Sequence, residues 1–272
     1  MENQLFNVKD KVIIITGGGG ALGGTMAGYL AQQGAKIVII SRKEETVQSG
    51  VDALKAQHRE AIGLAADVLD EEKLKDARDK ILEKWGRIDV LINGAGGHLP
   101  GTTIAPEQTV FDVSFSNLQK TLDLNLMGSV LPTLVFGKVM ADQTKGSIIN
   151  ISSMAATHSI TRVLGYSMAK AGIDIFTKWM AMEMARKFGD GIRVNAIAPG
   201  FFIGNQNRRM LTNKDDSLTQ RGHDIIRKTP MGRFGEAEEL NGVVHYLCSD
   251  ASQFVTGTII PVDGGFSSFS GV

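Results

Sequence analysis

The chain has a single cysteine, Cys248, so it cannot form an intrachain disulfide or a cluster of thiolates around a metal ion. It has no excess charge of either sign, because Lys plus Arg and Asp plus Glu both total 29. His, Asp and Glu do not cluster with the spacing of metal ligands. We therefore expect no metal site and no nucleic-acid partner, although one or two arginines can still hold a small anion.

Long apolar runs are also missing. The run "VIII" at 12–15 is among the longest, and a membrane-spanning helix needs about 20 apolar residues. The first ten residues, "MENQLFNVKD", have no basic region followed by an apolar core, so they do not predict a signal peptide. We expect a cytoplasmic protein with no membrane contact.

Short β-branched runs alternate with segments of helical period. Both alternations of each run are apolar, which is typical of parallel strands with helices on both faces of the sheet. No linker or repeat interrupts the pattern, so we predict one domain, 1–272: a Rossmann-type, doubly wound α/β sandwich around a seven-stranded parallel sheet. The predicted strands are 11–16, 36–41, 61–66, 87–93, 146–152, 192–198 and 257–262.

Two long stretches have no clear periodicity, 94–114 and 199–230. Both follow the carboxyl end of a predicted strand. Long irregular loops at such positions are more often functional than accidental. We predict that residues 199–230 form a loop or lid over a substrate.

A glycine-rich turn, "TGGGGALGG" at 16–24, follows the first predicted strand and precedes a helix. Glycines let the backbone approach a pyrophosphate closely, and the following helix N-terminus stabilises its charge. We therefore predict a dinucleotide site. Its predicted residues in this turn are Gly17, Gly19, Gly20, Ala21, Leu22 and Gly23.

The second predicted strand ends in Ser41 and Arg42. An acidic residue there would accept from ribose hydroxyls and repel a 2′-phosphate, whereas serine with arginine suits that phosphate. NADP(H) is therefore favoured. NAD(H) stays possible, because an arginine can also stack on adenine without contacting the phosphate.

Ordered motifs run along nearly the whole chain: "TGGGGALG" at 16–23, "ADV" at 66–68, "NGAG" at 93–96, "LDLNLMG" at 122–128, "NISS" at 150–153, "YSMAK" at 166–170, "RVNAIAPG" at 193–200 and "VDGGFS" at 262–267. With them the chain resembles the short-chain dehydrogenase/reductase family. The resemblance implies a nicotinamide cofactor and usually a homotetramer. It also implies cofactor contacts at Asp67, Val68, Asn93, Ala95, Gly96, Tyr166, Lys170, Pro199, Gly200 and Phe202.

The predicted chemistry centres on Tyr166 and Lys170, which lie four positions apart and hence on one helix face. An ammonium beside a phenol is expected to lower the phenol pKa, which suits proton transfer to or from an alcohol/ketone pair. Ser153 is expected to stabilise the substrate oxygen. Ser152 competes for that role, and the spacing to Tyr166 favours Ser153. The resemblance adds Asn125, as a residue that holds a water in a relay to the lysine.

Three positions depart from the family pattern. Ala21 replaces the middle glycine of the cofactor turn, and Gly94 replaces an asparagine of the more common "NNAG". Gly204 stands where a threonine commonly binds the pyrophosphate. That contact is therefore in doubt.

Substrate identity must come from residues that the family does not fix. We name His98, Arg162, Asn207 and Arg208 as substrate residues, because amides pair with hydroxyls and arginine grips a carboxylate. The stretch that begins "PGFFIGNQNRRML" is similar to family members that are D-mannonate oxidoreductases, or fructuronate reductases. An NAD(P)-dependent oxidoreductase of a sugar acid is thus expected. The alternatives are a gluconate 5-dehydrogenase, a 3-oxoacyl thioester reductase and a non-catalytic dinucleotide-binding protein.

Overall fold

The structure, a computed structural model, describes residues 4–204 and 208–271. Seven strands form one parallel sheet in the order β3-β2-β1-β4-β5-β6-β7. The predicted fold class is confirmed. The strands are β1 Val12–Thr16, β2 Lys36–Ser41, β3 Ala61–Ala65, β4 Val90–Asn93, β5 Gly146–Ile151, β6 Ile192–Pro199 and β7 Ile259–Val262.

Helices connect the strands and cover the sheet. The bounds of the α-helices in the described residues are α1 Ala21–Gln32, α2 Glu44–Lys55, α3 Glu71–Trp85, α4 Phe115–Leu122, α5 Gly128–Gln143, α6 Leu164–Phe188, α7 Arg208–Leu211, α8 Gln220–Lys228 and α9 Asn241–Cys248. A π-helical turn, Asp123–Met127, joins α4 to α5. Such turns occur often at functional sites.

The core lies in two layers, one on each face of the sheet. Successive residues of a strand point to opposite faces, so Ile13 and Ile15 belong to one layer and Ile14 to the other. The first layer contains Leu30 of α1 and Leu247 of α9. Helices α3, α5 and α6 supply the second layer, for example with Leu74, Phe136 and Met180. Burial on both faces explains why the strand sequences are continuously apolar.

Strand β4 is shorter than predicted. Residues 87–89 precede it, although the Asp89 amide donates to the Val12 carbonyl oxygen at 3.0 Å and the Asp89 carbonyl oxygen accepts from the Ser147 amide at 2.9 Å. The carboxylate of Asp89 accepts from the Val12 amide at 2.8 Å and pairs with Arg87, while the Ile88 amide donates to the Gln143 side chain at 3.0 Å. These side-chain contacts hold the residues that lead into the strand.

Residues 199–230 are not wholly irregular, contrary to the prediction. They contain α7 and α8, which has nine residues. The side chain of Thr219 caps α8 by accepting from the Gly222 amide at 3.1 Å, and Ile225 is buried beneath the helix. A helix this short shows too few apolar repeats to be recognised by periodicity.

The helical stretch from Phe115 to Gln143 is long and apolar enough to cross a membrane by length and composition alone. In the structure, 56% of its most apolar window is buried. Helix α5 packs against α3, β4 and β5. We interpret the stretch as part of the protein core.

Candidate active site

A cavity of about 540 Å³ lies at the carboxyl ends of the central strands. Its walls come from the glycine-rich turn, the ends of β2, β4, β5 and β6, and the start of α6. The predicted site residues that line it are Gly17, Gly19, Gly20, Ala21, Leu22, Gly23, Ser41, Arg42, Val68, Ala95, Gly96, His98, Ser153, Tyr166, Pro199, Gly200 and Phe202. Ligands of open parallel sheets bind at this edge, where the strand order reverses between β1 and β4.

The glycine-rich turn fits the phosphates of a dinucleotide. Gly17 has φ +69°, and a Cβ there would lie 2.8 Å from the Gly94 carbonyl oxygen. A Cβ on Gly23 would lie 2.4 Å from the Gly17 carbonyl oxygen, so both positions need glycine. Helix α1 begins after Gly20 without a side-chain cap, which leaves its first amides to an anion. Ala21 is exposed and its methyl group is accommodated.

Ser41 and Arg42 line the opposite end of the cavity, where an adenosine ribose would be held. Arg42 is exposed, and within the described part of the chain no hydrogen bond or ion pair engages it. Its guanidinium is therefore available to a phosphate on the ribose.

Three predicted cofactor residues, Asp67, Asn93 and Lys170, do not line the cavity. The Asp67 carboxylate accepts from the Leu69 amide at 3.0 Å. The buried Asn93 side chain donates to Thr133 Oγ1 at 2.9 Å and to Asn150 Oδ1 at 2.8 Å. The Asp67 carboxylate thus ties down a turn and the Asn93 side chain points into the core, and contact of either residue with a cofactor stays a prediction.

Ser153, not Ser152, lies against the catalytic tyrosine. The Ser153 side chain acts on the Tyr166 phenol and lowers its pKa, against the larger effect of burial. The Ser152 hydroxyl is buried and donates to Asp174 Oδ1. The structure thus separates the two serines as the sequence spacing had favoured.

Lys170 is buried on α6, and its Nζ donates to the Ile151 carbonyl oxygen at 2.6 Å. Its Nζ lies 5.5 Å from the centre of the Tyr166 ring. Burial lowers the pKa of Lys170 to about 8, against the opposing influence of Asp174. The Lys170 ammonium therefore loses its proton more readily than that of an exposed lysine.

The expected pKa shift of Tyr166 was wrong in direction. Burial raises the pKa of the phenol, and the Ser153 side chain only partly opposes that rise. Desolvation penalises the phenolate more than its neighbours stabilise it. Tyr166 is consequently protonated in this geometry, as a proton donor to a ketone must be.

Asn125 lies in the π-helical turn and holds the backbone beside Lys170. Its Oδ1 accepts from the Gly97 amide at 2.7 Å, and its Nδ2 donates to the Gly97 carbonyl oxygen at 2.9 Å. A Cβ on Gly96 would lie 2.9 Å from Asn125 Oδ1 and 3.7 Å from Lys170 Nζ. Asn125 therefore fixes the loop against the lysine, and its role in a water relay stays a prediction.

His98 and Arg162 lie near the catalytic tyrosine. The rings of His98 and Tyr166 are 4.8 Å apart between centroids. Arg162 has a left-handed backbone, φ +75°, and its Nε donates to the Ile104 carbonyl oxygen at 2.6 Å. The Ile104 amide donates back to the Arg162 carbonyl at 3.0 Å. Arg162 thus attaches the long 94–114 loop to the segment before α6, at a backbone conformation that costs energy.

Of the predicted substrate residues that the structure describes, His98 lines the cavity, whereas Arg162 and Arg208 do not. The exposed Arg208 pairs with Asp216 at 2.8 Å, Nη1 to Oδ1, and does not line the cavity. Arg208 is thus engaged with Asp216, and its contact with a substrate stays a prediction. Asn207 lies outside the described residues.

Arg221, which the sequence analysis did not single out, lies within electrostatic reach of His98 and Arg162. Its Nη1 donates to Thr161 Oγ1 at 2.7 Å. The only sequence signal was its place at the start of an amphipathic nine-residue helix. The packing of α8 against the segment at Thr161 is a tertiary feature, which sequence periodicity cannot predict.

Phe201 and Phe202 face different surroundings. Phe202 lines the cavity, whereas Phe201 packs edge-on against Phe266 with ring centroids 5.2 Å apart. Phe202 supplies an apolar wall beside Pro199 and Gly200. Such a wall limits the access of water.

The residues present fit a nicotinamide dinucleotide, which supplies or accepts a hydride when bound. With a substrate bound beside that cofactor, Tyr166 would hold the proton for the substrate oxygen and Ser153 would stabilise charge on that oxygen. Lys170 is bound to the Ile151 carbonyl oxygen and lies beside the Tyr166 ring, so its charge polarises the part of the site around that tyrosine. Fold and site together define a nicotinamide-dependent dehydrogenase or reductase.

Comparisons with known proteins agree with that class. The profile of the family described as enoyl-(acyl carrier protein) reductase matches residues 19–267. An uncharacterized oxidoreductase of Bacillus subtilis, UxuB, is 43% identical over 98% of this chain and 98% of its own length. The chain belongs to the short-chain dehydrogenase/reductase family of oxidoreductases.

Two solved structures bear on the ligands. A candidate D-mannonate oxidoreductase of Haemophilus influenzae with bound NAD has a TM-score of 0.92 and 41% identity, covering 98% of both chains. A gluconate 5-dehydrogenase of Burkholderia cenocepacia in complex with NADP and tartrate has a TM-score of 0.86 and 29% identity, covering 97% of this chain and 98% of its own. Relatives of this chain thus bind either nicotinamide dinucleotide.

Because its pKa is depressed, Lys170 should make the stability of the protein depend on pH. Between the folded pKa of about 8 and the ordinary value of 10.5, the unfolded chain binds a proton that the folded chain does not, so the wild-type protein gains stability as pH rises. Lys170→Met removes that gain. The free energy of unfolding of Lys170→Met minus that of wild type, measured by urea titrations, should therefore fall by about 2 kcal/mol between about pH 7 and about pH 9.5.

The exposed Lys178 on the same helix is the matched control. The difference between Lys178→Gln and wild type should not follow this trend. A difference between Lys170→Met and wild type that is constant with pH would contradict a buried lysine with a depressed pKa.

Proposed function

We propose that the protein interconverts a ketone and a secondary alcohol on a sugar acid of the D-mannonate/D-fructuronate type. The observation that supports this most is the positive charge beside the cavity residue His98: Arg221 acts on His98 electrostatically, and the half-buried Arg162 acts on Arg221. A carboxylate is the natural partner of a guanidinium in such a place. The similarity to the Haemophilus influenzae protein supports the same substrate type.

A gluconate 5-dehydrogenase is the second candidate. The Burkholderia cenocepacia structure, with tartrate bound, supports a polyhydroxylated acid in a site of this architecture. The two candidates share the reaction and the charge of the substrate, and differ only in its stereochemistry. A non-catalytic role is less well supported, because it does not need Ser153 beside Tyr166 above a buried lysine.

For the cofactor we propose a preference for NADP(H). The Arg42 guanidinium at the ribose end of the cavity supports it, as does the lack of an acidic residue at Ser41. The NAD bound to the Haemophilus influenzae protein supports the opposite preference, and a kinetic comparison of the two cofactors decides between them. Homotetramer assembly and a cytoplasmic location stay predictions.

A substrate panel tests the proposed function. Fructuronate, 5-ketogluconate and an acetoacetyl thioester are offered with NADPH and with NADH. We expect kcat/KM for fructuronate to exceed that for the thioester by at least about a hundredfold, because the thioester leaves buried cations without a partner. A preference for the thioester would contradict a sugar-acid enzyme, and a preference for 5-ketogluconate would select the second candidate.

Arg42→Ala tests the cofactor preference. Loss of a guanidinium–phosphate contact should raise KM for NADPH by at least about tenfold and leave KM for NADH nearly unchanged. Lys43→Ala, at the neighbouring exposed position, is the control and should change neither value much. Equal losses for both cofactors would show that Arg42 does not contact a 2′-phosphate.

A further inference from the structure

Helix α8 brings Arg221 to the rim of the active site. The half-buried guanidinium donates through Nη1 to Thr161 Oγ1 at 2.7 Å and through Nη2 to the Thr161 carbonyl oxygen at 3.3 Å. Thr161 directly precedes Arg162, so the two arginines are held next to each other. One comes from α8 and the other from the segment that leads into α6.

Neither of these two arginines has an acidic partner among residues 4–204 and 208–271. Burial and the neighbouring charge of Arg162 both lower the pKa of Arg221. Two half-buried like charges without a counter-charge destabilise the unliganded protein. Nearby arginines differ, since Arg208 pairs with Asp216 and Arg227 with Asp224. An anion between Arg162 and Arg221 would relieve the repulsion.

The charge of this pair reaches His98 through Arg221, and His98 lines the cavity. The charge of Arg221 reaches His98, and together with burial it lowers the histidine pKa, so His98 is neutral near pH 7. The His98 ring in turn lies against the Tyr166 ring. Arg221 thus acts on His98, and His98 contacts Tyr166.

We infer that Arg221 and Arg162 together bind the substrate carboxylate, while His98 contacts the hydroxyl-bearing carbons between the carboxylate and the reacting carbon. This assignment rests on the proposed function, a sugar acid as substrate. It replaces Arg208 by Arg221 as the second arginine of the site. Because Arg221 belongs to α8 and Arg162 does not, a bound carboxylate also ties α8 to the rim of the cavity.

Arg221→Ala tests the assignment with two ketones that differ only at the carboxylate. Fructuronate carries the carboxylate, and fructose has a hydroxymethyl group in its place. We expect kcat/KM for fructuronate to fall at least about tenfold, mainly through KM, because a charge-assisted contact is lost. The kcat/KM for fructose should stay within about twofold of wild type. Arg227→Ala on the same helix is the matched control and should leave both substrates unaffected.

Binding supplies a readout that needs no turnover. The affinity of the NADPH-loaded protein for D-mannonate, measured by calorimetry, should drop at least about tenfold in Arg221→Ala and not in Arg227→Ala. Unchanged affinity, or equal losses of activity on fructuronate and fructose, would overturn the carboxylate assignment. Arg221→Gln, which keeps a donor toward Thr161 without the charge, should lose as much as Arg221→Ala and serves if the alanine variant does not fold.

The same data separate the two proposals. A wild-type protein that neither reduces fructuronate nor binds D-mannonate contradicts the proposed function. A wild-type protein that does both, with an Arg221→Ala variant that matches it, contradicts only the role of Arg221.

Discussion

The hydrogen bond from the buried Lys170 ammonium to the Ile151 carbonyl oxygen joins α6 to the carboxyl end of β5. It places Tyr166 one helical turn away, against Ser153, which follows Ile151 by two residues. A charge at this depth is costly unless it is hydrogen-bonded, so the pKa of Lys170 falls to about 8. The site therefore gives up stability to hold an ammonium beneath a phenol, as catalytic sites often do.

The topology of the sheet gathers the remaining parts. Strands β1 and β4 are neighbours although β2 and β3 intervene in the chain, and the crevice at this reversal receives the glycine-rich turn and residues 94–98. The ends of β5 and β6 add Ser153 and Pro199 on the same edge. The long helix α6 then crosses beneath with its tyrosine and lysine. Residues distant in sequence meet because parallel strands all end on one side of the sheet.

Sequence reasoning was sufficient where a local rule decides the outcome. The strands were found because they are short, β-branched and apolar on both faces, and the Tyr166–Lys170 pair because four-residue spacing puts both on one helix face. Sequence reasoning was insufficient where the burial of a side chain decides its pKa or its orientation. The pKa of Tyr166 moves upward because of its depth, and Asn93 turns toward Thr133 in the core. Neither can be seen in a motif.

The arginines show the same limit. Arg208 and Arg221 are both basic residues of the 199–230 stretch, and sequence alone favoured the former. The structure gives Arg208 an acidic partner in solvent and places Arg221 beside Arg162. Which of the two arginines lies beside Arg162 depends on how the nine-residue helix α8 packs. The amphipathic pattern of α8 does not determine that packing.

Proton transfer by Tyr166 is the central claim, and Tyr166→Phe tests it most directly. Single-turnover reduction of the preferred keto acid should slow by about a thousandfold, while the Kd of the nicotinamide cofactor stays close to wild type. Tyr246→Phe, a half-buried tyrosine of α9 away from the cavity, should keep the wild-type rate. A Tyr166→Phe variant that retains a substantial part of the wild-type rate would contradict the account.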